Sequence, residues 1–138
     1  MEDINRRVAL TLALAAAPGL VFGASAAEAL YDPDFGEEIA PGVRQVFLGS
    51  AASDLSGYTR ISMRDWVFQP GSNTYDPSIQ NDMISYVAQG ALIVRQGGTQ
   101  WIAKSGYGPW TSRKGIKTAY MQTHSEVAVL RIIDLFPR

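Results

Sequence analysis

The chain has 138 residues, enough for one domain, and 46% of them are hydrophobic and 18% charged. A formal net charge of -1 supplies no basic field for nucleic acid. There is no cysteine and one histidine, His124. That excludes disulfides, thiolate chemistry, zinc ribbons and a metal site built mainly from imidazoles of one chain.

Residues 1–26 have the order of an export signal: MEDINRR with its paired arginines, an uncharged apolar run from Val8 to Gly23, then small residues. Cleavage is expected after Ala26 or Ala29. Asn5-Arg6-Arg7-Val8-Ala9-Leu10 resembles a twin-arginine signal, and an ordinary Sec signal fits as well. Pro18 and Gly19 interrupt the apolar run, which is shorter than the roughly 20 residues of a spanning helix. Membrane contact is therefore expected only through an uncleaved signal segment, and the expected location is periplasmic or secreted. Residues 27–42 are acidic and broken by Pro33, Gly36, Pro41 and Gly42, which reads as a solvated N-terminal arm. Asp32, Asp34, Glu37 and Glu38 lack the spacing of a calcium loop.

From residue 43 to 138 the pattern is strand and turn. Val43 to Leu48 reads as a short strand and Gly49 to Gly57 as a loop. Tyr58 to Phe68 alternates, with Ile61, Met63 and Val67 on one face and Arg60, Ser62 and Arg64 on the other. Gln69 to Asn73 is a turn, Met83 to Val87 a strand, and Gly90 its end. The strands from Ala91 and from Thr99 to Ala103 flank a hairpin turn at Gly97-Gly98. Gly106 and Gly108-Pro109 mark another bend. Ile116 to Gln122 alternates again, and the last strand runs from Glu126 to Leu135. Strands about every ten residues without a helical stripe indicate a sandwich or barrel.

Gln69-Pro70-Gly71, followed by MISYVAQGALIV at 83–94, resembles the first motif of the cupin superfamily. That motif holds a glycine, His-x-His, a glutamate and a strand ending in glycine. Lys114 to Gln122 resembles the second motif, with its glycine, histidine and asparagine. The resemblance runs from about Gln45 to Ile133. It implies an all-β, single-domain cupin-like barrel, a double-stranded β-helix or jelly roll. It also shows what is replaced. Met83 stands at the family glutamate, Thr118 at the third histidine and Gln122 at the asparagine. The paired histidines fall on Asp76 and Ser78, or one residue later on Pro77 and Ile79. No metal ligand set of the family type survives, and no cofactor is expected. An unorthodox metal site would have to draw on Asp76, Met83 or His124, and His124 reads as a surface turn residue.

Alternation from Met83 places Ser85 and Val87 inside the barrel, and alternation from Thr118 places Ile116, Tyr120 and Gln122 there. With Trp66, Tyr75, Ser78, Trp101 and Trp110 these residues would line an apolar, aromatic cavity suited to a small ring-bearing ligand. They would equally serve as the filling of a small barrel. For metal-independent acid/base chemistry of an isomerase, cyclase or lyase type, the candidates are Asp76, Tyr75 and Tyr120. A third reading is an accessory module, a homodimer paired through the last strand. Arg113, Lys114 and Lys117 form the one basic cluster, too narrow for a nucleic-acid face.

Overall fold

The computed structural model describes residues 29–76 and 78–138, the side chain of Asp76 excepted. The export signal read at 1–26 lies outside the described residues. The strands are β1 (Glu37–Ala40), β2 (Val43–Ala52), β3 (Tyr58–Phe68), β4 (Asn73–Asp76), β5 (Asp82–Gln89), β6 (Ala91–Gln96), β7 (Thr99–Lys104), β8 (Trp110–Ser112), β9 (Thr118–Met121) and β10 (Ala128–Pro137). Two antiparallel sheets face each other, ordered β1-β2-β3-β10-β5-β8 and β4-β9-β6-β7. Among the described residues no helix is long and apolar enough to cross a membrane.

Period-two alternation decides the core. β5 buries Met83, Ser85 and Val87, β6 buries Leu92 and Val94, and β10 buries Leu130 and Ile132. Apart from Ser85, they meet Val43, Phe68 and Tyr120 between the sheets in one cluster. Each such large apolar side chain contributes about 1.5–3 kcal/mol on burial. The chain changes sheets at Gly90, the single residue between β5 and β6. Its φ is +76°, and a Cβ there would lie 2.6 Å from the Val127 carbonyl oxygen, so this corner requires glycine. The Gly97-Gly98 hairpin forms between Gln96 and Thr99, with φ of +55° and +87°, as a two-residue turn of the primed type demands.

Several boundaries differ from the sequence expectation, because pairing partners extend strands past their local signals. β2 continues to Ala52 through Gly49, and the register shift between Phe47 and Gly49 marks a bulge there. The short strands β1, β4 and β8 were not expected; each is three or four residues long and exists through one neighbouring strand. β1 comes from the stretch read as an arm. Earlier in that stretch, Tyr31 packs beside a second, outer cluster of Val46, Val67 and Val129. The Tyr31 hydroxyl donates to Asp65 Oδ2 at 2.6 Å, and Arg131 donates to both Asp65 oxygens at 2.8 Å. Asp65 is fully buried, and its charge is tolerable because both oxygens are paired. The same pairing raises the Arg131 pKa.

The two faces of β3 have different roles. Arg64, Trp66 and Phe68 look into the barrel, whereas Val67 joins the outer cluster and Ile61 and Met63 border an outer-face groove with Leu48.

Candidate functional site

A pocket of about 290 Å³ opens at the Arg64 end of the barrel. β3 supplies Arg64 and Trp66, β5 Met83, β9 Tyr120, β10 Asp134 and Phe136, and the segment before β5 supplies Ile79, Gln80 and Asn81. That segment is held by backbone bonds from Ile79 to Ile116 O (3.1 Å) and from Gly115 to Ile79 O (2.8 Å). Asp82 fastens its end, accepting from the Lys114 backbone N–H and the Tyr58 hydroxyl, both at 2.8 Å. These bonds hold the Asp82 carboxyl below the usual carboxylate range, the Lys114 bond most strongly.

The polar element of the pocket is a fixed guanidinium. Arg64 Nε donates to Asp134 Oδ2 at 2.9 Å and Nη2 to Asp134 Oδ1 at 3.1 Å, a bidentate pair. Arg64 Nη1 donates to Gln45 Oε1 at 3.1 Å, and Trp66 Nε1 donates to the same oxygen at 2.8 Å. Gln45 therefore locks the cation and the indole together. The guanidinium carbon lies 5.0 Å from the Trp66 ring centre. Tyr120 meets Trp66 edge to face at 5.8 Å, giving the pocket an aromatic floor.

Among the residues named from the sequence, Trp66, Met83 and Tyr120 come together in this pocket. Ser78 lies half-buried just before the lining segment. Ser85 is fully buried inside, and its Oγ and the Trp110 Nε1 have no hydrogen-bond partner among the described residues. Trp101 packs edge to face on Trp110 at 5.6 Å. Thr118 is buried, with its hydroxyl 3.4 Å from Gln96 Oε1, which also accepts from Ser112 at 2.6 Å. Gln122 closes a turn rather than lining the pocket. Its Nε2 donates to Glu126 O at 2.6 Å, and its Oε1 accepts from the His124 backbone N–H at 2.8 Å. His124 itself is exposed.

Tyr75 corrects the expected lining. It is 65% exposed, opposite Ala119 on the outer side of the smaller sheet, because β4 alternation turns it away from Tyr120. Tyr75 therefore does not share the cavity with Tyr120. Asp76 pairs through its backbone with Thr118, and its side chain lies outside the described residues. Sequence reasoning missed Arg64, Asp134, Gln45 and Phe136. A signal existed: Arg64 is two residues before Trp66 and so shares its face.

Among the described residues, the donors do not fit a metal of the kind cupins hold. Thr118 bonds to Gln96, His124 is in an exposed turn, and the Arg64 guanidinium lies 3.9 Å from Met83 Sδ. A cation thus already stands beside Met83, where a metal would be repelled. Among the described residues no three His, Cys, Asp or Glu side chains converge.

The two facing antiparallel sheets and the corner at Gly90 define a jelly-roll barrel. The fold is that of the cupins. The chain is similar to the structure of KdgF from Halomonas sp., at 18% identity and a TM-score of 0.56, over 74% of this chain and 84% of that one. It is similar to the Cupin_2 domain of an XRE family transcriptional regulator from Enterobacter cloacae at 12% identity and a TM-score of 0.59, covering 70% of this chain and 99% of that one. An RmlC-like cupin from Shewanella frigidimarina matches at 15% identity and a TM-score of 0.58, over 80% and 93%. No protein-family model and no curated protein matches the chain.

Proposed function

We propose that this protein binds a small, largely apolar or ring-bearing molecule in the barrel, without a family-type metal centre. The observation that carries the reading is the pocket's composition. Trp66, Ile79, Met83, Tyr120 and Phe136 surround one bidentate Arg64–Asp134 pair, an apolar cleft with a few oriented polar groups. Its volume suits a ligand of about one ring and a short chain. A guanidinium locked by Asp134 and Gln45 gives direction without a reactive metal.

The test is ligand-dependent melting of the full chain with indole and 3-phenylpropionamide. Both are expected to raise Tm, by the linkage between binding and folding. Asn81→Trp, at the half-buried mouth, is expected to abolish that rise while leaving the unliganded Tm nearly unchanged. No rise in the unsubstituted protein, or an undiminished rise in the variant, refutes the reading.

Export belongs to the same proposal. It is supported by the charged, apolar and small-residue order of 1–26. The intact mass of protein recovered from the periplasm tests it, with loss of residues 1–26 or 1–29 as the expected result. An uncleaved chain confined to the cytoplasm overturns it.

A further inference from the structure

Arg60 and Phe136 extend the pocket in a way that narrows its ligand. Arg60, Ser62 and Arg64 alternate on the concave face of β3, and Phe136, which lines the pocket, pairs directly with Arg60 across the β3/β10 ladder. The Arg60 guanidinium carbon lies 3.8 Å from the Phe136 ring centre. At that distance the ring face attracts and holds the guanidinium.

The charges of the two arginines differ. Arg64 is neutralised in place by Asp134, so that pair contributes no net charge to the pocket. Arg60 has no acidic partner among the described residues; the ion pairs there are Arg64–Asp134 and Arg131–Asp65. The pocket therefore has a neutral polar wall inside, and an uncompensated cation stacks on Phe136, an aromatic ring of its lining.

We propose that the ligand is a ring-bearing carboxylate, its ring against the pocket's apolar lining and its carboxylate against Arg60 beside Phe136. The inference rests on the small-molecule reading of the same pocket. A carboxylate accepts two parallel N–H bonds from a guanidinium, which a neutral amide of the same shape cannot reproduce.

The experiment compares 3-phenylpropionate with 3-phenylpropionamide by titration calorimetry on the full chain and on Arg60→Gln. The unsubstituted protein is expected to bind the carboxylate about tenfold more tightly than the amide, the value of one exposed charge-assisted contact. In Arg60→Gln that preference disappears, the carboxylate losing more affinity than the amide. Equal affinities in the unsubstituted protein overturn the carboxylate assignment and leave the pocket reading standing. A preference that survives Arg60→Gln overturns the role of Arg60. Binding of neither probe overturns the pocket reading, and this proposal with it.

Discussion

Replacing Arg64 by methionine should expose how the pocket is held together. Asp134 is 4% exposed at its side chain, and Arg64 supplies hydrogen bonds to both of its oxygens. Removing one member of a buried pair leaves an uncompensated charge, usually about 3–5 kcal/mol. The Arg64 side chain is 25% exposed, so water can reach the vacated side and soften the penalty. The expected loss for Arg64→Met is about 2–3 kcal/mol, or a Tm lower by roughly 10–15 °C for a domain of this size. Asp134→Leu should be milder, about 1 kcal/mol, because a partly exposed arginine can turn toward solvent. The double variant Arg64→Met/Asp134→Leu should return to within about 1 kcal/mol of the original, since apolar groups of similar volume replace a buried pair with little net change. Urea unfolding of all four proteins gives the coupling energy directly. A double variant whose loss equals the sum of the single losses would refute the argument, because the cost would then lie in packing and not in the stranded carboxylate.

Three further outcomes follow from single sites. Gly90→Ala should cost about 2–3 kcal/mol by thermal unfolding, since it combines a positive φ with a Cβ 2.6 Å from the Val127 oxygen. The Tyr31 hydroxyl titrates above its ordinary 10.0, raised by burial and then by its bond to Asp65. Its contribution is therefore complete below pH 10 and is lost as pH rises through the higher folded value. Tyr31→Phe should be about 1 kcal/mol less stable at neutral pH, and that deficit should shrink on the alkaline side; a pH-independent deficit would contradict the assignment. The Asp82 carboxyl titrates below its ordinary 3.8, so its contribution is present above that pH and is lost as pH falls through the lower folded value. Asp82→Asn should lower Tm at neutral pH and converge with the original protein in acid, in a melting series down to pH 2 to 3.

The all-β class and most strand positions were legible in the residues alone, because alternation and turn residues are local signals. Gly90, Gly97 and Gly98 announced their turns through a backbone freedom that other residues lack. Alternation also placed Met83, Ser85 and Tyr120 inward. The edge strands β1, β4 and β8 were illegible because three or four residues carry no period; a neighbouring strand makes them. Which face of β3 enters the barrel depends on long-range pairing. Ile61 and Met63 look like the buried row by hydropathy, yet Arg64 goes inward because Asp134, seventy residues away in sequence, and Gln45 satisfy its donors there. A buried charge is admissible only where its partner waits, and partners brought together by strand pairing cannot be read from either segment alone. The same long-range pairing turned Tyr75 outward with β4 and set Arg60 beside Phe136.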